Sequence, residues 1–212
     1  MDFVYRHCAP NTGVGHARGV STVDQPFSVL AVCLGNICRS PLVERLLALR
    51  LEEAGVGAAY LIGSAGLVAR EGMEMQWDAA GHLTALGGDA ASFRSRAFAG
   101  PMAQEAGLVL TATTDVRRRL LQRSPSALRR TFTVREFAHL ASSADLGSVR
   151  SPAGLVADAV RRRGTTAWQE LDLPDPMGQT AEVHATSARL AAEAVEEMVP
   201  ALVAVARTPA TR

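Results

Sequence analysis

The residues with the clearest chemical potential are Cys33-Leu34-Gly35-Asn36-Ile37-Cys38-Arg39-Ser40, in which five residues separate a thiol from an Arg-Ser pair. A thiolate is a strong nucleophile. A guanidinium can fork onto two oxygens of a tetrahedral oxyanion. Gly35 and Asn36 tolerate the left-handed backbone that a concave nest of amide N–H groups requires. The set describes a pocket for a phosphate-sized dianion seated over the sulfur of Cys33. The backbone of Leu34, Gly35, Asn36, Ile37 and Cys38 would hold the anion together with Arg39. The same positive field favours thiolate over thiol. A helix end supplies only about 0.3–1 kcal/mol of such a preference, so the loop amides, Arg39 and the Ser40 hydroxyl must supply the rest.

Two elements have to hold this loop. Upstream, Phe27-Ser28-Val29-Leu30-Ala31-Val32 is short, apolar on both faces and bounded by Pro26 and Gly35, the pattern of a buried strand in a parallel sheet. Downstream, Ser40 reads as an N-cap and Pro41 as the first helical residue. Leu42, Val43, Leu46, Leu47 and Leu49 then recur at helical spacing, with Gly55 as the stop. Further strands are predicted over 58–64, 107–112 and 131–134. Helices are predicted over 78–86, 114–123, 136–140 and 180–207, with Pro200 expected to kink the last. This alternation implies an α/β fold with a four-stranded parallel sheet and right-handed crossovers. Ligands of such sheets bind beyond the carboxyl ends of the strands, where Cys33 falls.

The run from Val32 to Pro41 resembles the phosphate-binding loop of the low-molecular-weight protein tyrosine phosphatases, whose fold is shared with thiol-linked arsenate reductases. The likeness extends through most of residues 27–205. It implies a three-layer sandwich with the loop between the first strand and the first helix. It also implies a cytoplasmic bacterial hydrolase that works through a phosphocysteine, with no metal or cofactor. Its substrate would be a phosphorylated protein or a small aryl phosphate.

The resemblance assigns roles to other residues as well. Asp175-Pro176 matches an Asp-Pro pair on a loop over the phosphate site, and Asp175 would protonate the leaving oxygen as the P–O bond breaks. Asp172 is the competing carboxyl. Ser40 would hydrogen-bond Cys33 and stabilise it as a leaving group, and Ser64 would support Asn36. Cys38 would be the reversible oxidation partner of Cys33, with core packing as the alternative. Met177 stands where the family usually has Tyr, so Leu34, Ile37 and Met177 would form the substrate wall. The stretch 141–167 is longer than a usual connection and is expected to hold an extra helix over 155–163.

The rest of the chain narrows the alternatives. Of 212 residues, 48% are hydrophobic and the net charge is +1, which describes one ordinary domain with a sizeable core. We expect a flexible arm over 1–24, a single domain over 25–207 and a disordered tail over 208–212. No apolar run approaches the ~18 residues of a membrane span, and no secretory signal is visible. The basic residues are all Arg. The runs at 117–119, 129–130 and 161–163 lack interleaved aromatics and read as solvated helix faces rather than a nucleic-acid patch. Cys8, Cys33 and Cys38 form no disulfide scaffold, and the five His have no ligand spacing.

Two rival readings share the motif. An arsenate reductase linked to thioredoxin needs further cysteines, and none follows residue 38. A version using an external low-molecular-weight thiol needs only Cys33. A non-catalytic phosphoprotein-binding module would not need nucleophile, Arg and acid together.

Overall fold

The structure, a computed structural model, describes residues 25–164 and 170–208. The arm expected over 1–24 and residues 209–212 of the expected tail lie outside the described residues. Strand β1 (Phe27–Cys33) passes through the cysteine loop into α1 (Arg39–Glu53), followed by β2 (Tyr60–Gly66), α2 (Trp77–Ala85) and α3 (Gly100–Glu105). Then come β3 (Leu108–Thr111), α4 (Thr114–Arg123), β4 (Thr131–Thr133), α5 (Val134–Ser142), α6 (Pro152–Arg162) and α7 (Ala181–Arg207). The strands pair in parallel in the order β2-β1-β3-β4. From β1 the chain goes first to one side and then to the other, so the cysteine loop sits where the strand order reverses.

The two-residue period of the strands divides the core into two layers. Val29 and Ala31 pack with Leu42, Leu46, Phe137 and Val195, on the face covered by α1, α5 and α7. Leu30 and Val32 pack with Ala103, Val116 and Leu120, under α3 and α4. Helices on both faces of one sheet make the expected three-layer sandwich. Among the described residues no helix is long and apolar enough to cross a membrane.

Several boundaries differ from the sequence reading. Ser40 is not the N-cap of α1. The helix starts at Arg39 with Cys38 as N-cap and no side-chain cap, because the Ser40 hydroxyl is used on the sulfur of Cys33 instead. The predicted stop holds. Gly55 lies at φ 72°, its N–H reaches the Glu52 carbonyl, and the Val56 N–H reaches that of Leu51, a Schellman ending. Strand β2 begins at Tyr60 rather than at residue 58, since Gly57–Ala59 close a 3₁₀ turn. Six-residue α3 is too short to show a helical period and went unpredicted. Pro200 lies inside α7, which continues as helix on both sides of it.

The long connection holds α6, and its packing explains its presence. Val149, Leu155, Val156 and Ala159 join the core beneath α5 and α7. Just beyond, Arg163 lies 3.8 Å above the Phe132 ring, binds Glu136 at 2.9 Å and donates to the Thr131 carbonyl at 2.6 Å. Arg117 approaches the same carboxylate at 3.4 Å. Of the run 161–163, Arg163 therefore departs from the solvated face expected of it, because buried Glu136 neutralises it against the edge strand.

The register that sets Cys33 beside Gly66 leaves no room for a side chain at Gly66. A Cβ there would lie 2.6 Å from the Leu34 carbonyl oxygen and 2.8 Å from the Asn36 nitrogen. We predict that Gly66→Ala pushes the loop off β2 and destabilises the fold by about 1–3 kcal/mol, read by urea denaturation. An unchanged midpoint would show that the loop does not depend on this contact.

Candidate active site

The loop after β1 is inverted by its neighbours. The carbonyls of Cys33, Leu34 and Ile37 accept from the N–H groups of Leu67 (3.0 Å), Val68 (2.9 Å) and Gln76 (2.8 Å). A peptide unit is planar and trans, so its N–H points opposite to its C=O. With those carbonyls drawn outward, the N–H groups of Leu34, Gly35 and Cys38 turn toward the hollow of the loop. Asn36 takes the left-handed backbone at φ 53°, which Asn tolerates better than most residues. Its own N–H comes within 3.2 Å of the Cys33 sulfur.

The side chain of Asn36 is fully buried and every hydrogen-bonding group on it is used. Its amide nitrogen donates to Ser40 Oγ at 2.9 Å and to Ser64 Oγ at 2.7 Å. Its oxygen accepts from the Arg96 N–H at 2.9 Å. Ser40 in turn donates to Cys33 Sγ at 3.0 Å. Ser64 donates to the Glu44 carboxylate. The structure thus brings Ser40 to the Cys33 sulfur and Ser64 to Asn36.

Arg39 is 5% exposed, and its charge is met from the loop that precedes α7. One guanidinium nitrogen donates to the Leu173 carbonyl at 3.3 Å, and the other lies 2.7 Å from Asp175 Oδ2. That loop is fastened at several points. The Asp172 carboxylate accepts from the Thr114 N–H at 2.7 Å and from its hydroxyl at 3.2 Å, so Asp172 serves the N-terminus of α4. Leu173 donates to the Ala112 carbonyl at 2.8 Å, at the end of β3. Pro174 accepts from Ser187 of α7 at 2.9 Å. These anchors settle which carboxyl faces the cleft. Asp175 does, and Asp172 is committed elsewhere.

A cleft opens over the sulfur, lined by Cys33, Leu34, Gly35, Ile37, Cys38, Arg39, Asp175 and Met177. The expected wall residues Leu34, Ile37 and Met177 all border it. Cys33 and Cys38 are both buried free thiols. Cys38 points its hydrogen at the Met177 sulfur, 3.4 Å away. Burial, and secondarily the neighbouring Cys33, push the Cys38 thiol up to about 12, so it stays a neutral donor at physiological pH. Among the described residues no group of three or more His, Cys, Asp or Glu could hold a metal ion.

The sequence reading passed over Glu44, Arg96 and the amides of Leu67, Val68 and Gln76. The amides leave no side-chain trace. Glu44 did leave one, since Asn36, Ser40 and Glu44 are spaced by four residues at the mouth of a predicted helix.

Comparison with known proteins bears on the family and the fold. Residues 28–162 match the family model described as low molecular weight phosphotyrosine protein phosphatase. A protein-arginine-phosphatase of Geobacillus stearothermophilus is 34% identical over 129 residues, covering 61% of this chain and 80% of that protein. The low molecular weight protein-tyrosine phosphatase A of Mycobacterium tuberculosis is 46% identical over 44 residues, 21% of this chain. That aligned stretch spans only 27% of the relative's length. Among solved structures, the low molecular weight protein tyrosine phosphatase of T. tengcongensis superposes with a TM-score of 0.62 at 24% identity, over 82% of this chain and 98% of that one. With the motif, the sheet order and the family model in agreement, the chain belongs to the low molecular weight phosphotyrosine protein phosphatase family.

Proposed function

We propose that the protein is a phosphatase that hydrolyses phosphotyrosine or related aryl phosphate monoesters, in proteins or as small esters, through a phosphocysteine. One observation carries this reading. The sulfur of Cys33 receives the Asn36 N–H and the Ser40 hydroxyl in the same cleft that Arg39 and Asp175 border.

The chemistry follows from those positions. The inward amides and Arg39 gather the phosphoryl oxygens, and the Cys33 sulfur attacks phosphorus in line. The oxygens compete with Asp175 for Arg39 and free the carboxylate, which takes up the proton that the Cys33 thiol gives up on becoming the attacking thiolate. As the P–O bond breaks, Asp175 passes that proton to the leaving oxygen. Water then attacks phosphorus and yields its proton to Asp175. The P–S bond breaks, with the Ser40 hydroxyl supporting the departing sulfur, and phosphate leaves. The amides act as fixed donors toward charge that grows in the transition state. The acid at the cleft suits an alcohol leaving group, which favours ester hydrolysis over arsenate reduction or mere phosphopeptide binding. A buried thiol nucleophile fits a reducing, cytoplasmic compartment. Once a peroxide has oxidised the Cys33 sulfur to a sulfenic acid, the Cys38 thiol would displace water and close a disulfide; packing against Met177 is the alternative use of Cys38.

A second reading has one observation behind it, since the 34% identical relative is named a protein-arginine-phosphatase. Phosphoarginine would bring a guanidinium into the cleft. The side walls there are apolar, and its one carboxylate, Asp175, is engaged with Arg39. These walls favour an aryl group. A panel of phosphotyrosine peptides, phosphoarginine peptides and small aryl phosphates should show the highest kcat/KM for the aryl esters. Preference for phosphoarginine would reverse the assignment.

Two substitutions test the mechanism. Cys33→Ser should lower turnover by about three orders of magnitude or more while phosphate or vanadate still binds. Appreciable residual activity would remove Cys33 as the nucleophile. Asp175→Asn should cost about 10²–10⁴ in rate for poor leaving groups and far less for nitrophenolate. Equal losses across leaving groups would dismiss Asp175 as the acid.

A further inference from the structure

Behind the loop, a chain of hydrogen bonds ends on a carboxylate that the proposed chemistry does not use. Glu44 projects from α1, one turn after Ser40, and is largely buried. It receives the Ser64 hydroxyl. Burial raises its carboxyl above the ordinary value. The hydrogen bond from Ser64 and the guanidinium groups of Arg45 and Arg96 pull the other way.

Counting protons along this chain fixes its direction. The Asn36 amide has two hydrogens, and both are spent, one on Ser40 Oγ and one on Ser64 Oγ. Each serine oxygen therefore accepts from Asn36, and each has one hydrogen left to give. For Ser64 that hydrogen goes to Glu44. For Ser40 it goes to the Cys33 sulfur, with the Ala65 carbonyl at 3.4 Å as a longer alternative. Asn36 cannot be turned over without cost, because its oxygen is held by the Arg96 N–H, while Arg96 Nε is itself tied to the Ser64 carbonyl at 2.5 Å.

Without an acceptor at Glu44, the Ser64 hydrogen has to find another partner. The other partner of Ser64 Oγ, the Asn36 amide, is itself a donor, so a Ser64 hydrogen with no acceptor opposes the amide hydrogens. The arrangement that delivers the Ser40 hydrogen to sulfur then loses its bias. We infer that Glu44 is a positioning residue: through Ser64 and Asn36 it sets the direction of the hydrogen-bond chain, so that Ser40 donates to the Cys33 sulfur. Glu44 touches neither substrate nor the reacting atoms. In the catalytic cycle the inference rests on the phosphocysteine reading above, but its effect on the sulfur exists without substrate.

The test is a double-mutant cycle between Glu44→Ala and Ser40→Ala. The first readout is the rate of Cys33 alkylation by iodoacetate at pH 7, assigned by peptide mass spectrometry. Each single variant should slow alkylation about tenfold, the scale of one hydrogen bond to a charged group. The double variant should be no slower than Ser40→Ala alone. Glu44→Gln, whose amide oxygen can still accept from Ser64, should recover most of the rate. The second readout is turnover of an aryl phosphate by the same variants. Glu44→Ala should lower kcat and accumulate phosphoenzyme, while inhibition by inorganic phosphate stays unchanged.

Additive losses in the cycle, or wild-type alkylation in Glu44→Ala, would overturn the inference. A large loss of phosphate binding would also overturn it, by showing that Glu44 merely props the loop. If the wild-type protein turned over no aryl phosphate, the phosphatase reading would fall, and the alkylation cycle would still decide the role of Glu44.

Discussion

The structure depends on one inversion of the backbone. Between Cys33 and Cys38 the chain turns the carbonyls of Cys33, Leu34 and Ile37 outward, which brings the N–H groups of the following residues inward on one side of the loop. Two groups of contacts enforce it. The N–H groups of Leu67, Val68 and Gln76 hold three of the carbonyls, and the fully satisfied Asn36 side chain locks the left-handed residue at the crest. A buried polar side chain left short of partners would cost about 1–3 kcal/mol. None of the Asn36 groups is short, so the network stabilises a single loop shape.

The remainder of the fold brings the partners to that loop. The strand order reverses at β1, which leaves a crevice at the carboxyl end of the sheet. β2 sends Ser64 and Gly66 to one side of the loop, and the Gly66 backbone approaches Leu34 and Asn36 too closely for any side chain. β3 and α4 anchor the segment that carries Asp175, through Ala112 and Thr114. Helix α7 holds it from behind through Ser187. Arg39 joins the two halves, since its guanidinium binds both Leu173 and Asp175. In the proposed reaction, an oxyanion entering the cleft meets a cation that is already oriented, and it displaces Asp175 from that cation.

Much of this was legible in the sequence because local and global signals agree. The apolar run 27–32, bounded by Pro26 and Gly35, reads as a doubly covered strand, and Gly35-Asn36 as residues that tolerate the backbone of a tight loop. Asp175 is preferred to Asp172 in the sequence through its Pro176 neighbour, and the structure adds the reason that Asp172 is taken up by Thr114 at the start of α4. Ser40 was misread as a helix cap because its type fits that use equally well. Tertiary context gave the hydroxyl a stronger partner in the sulfur. Arg163 was misread for a similar reason, since its buried partner Glu136 lies 27 residues away in the chain. The backbone donors of 67–76 were beyond reach, as an amide looks the same in every residue.

The central claim is that phosphorus becomes bonded to one sulfur held under these amides. Rapid acid quench of the protein during turnover of an aryl phosphate, followed by peptide mass spectrometry, tests it most directly. The account predicts a phosphoryl group on the peptide containing Cys33, on the sulfur of that residue, appearing before phosphate is released. A phosphoryl group found on another residue would contradict it. So would phosphate release without any covalent intermediate, with solvent oxygen incorporated in a single inverting step at phosphorus.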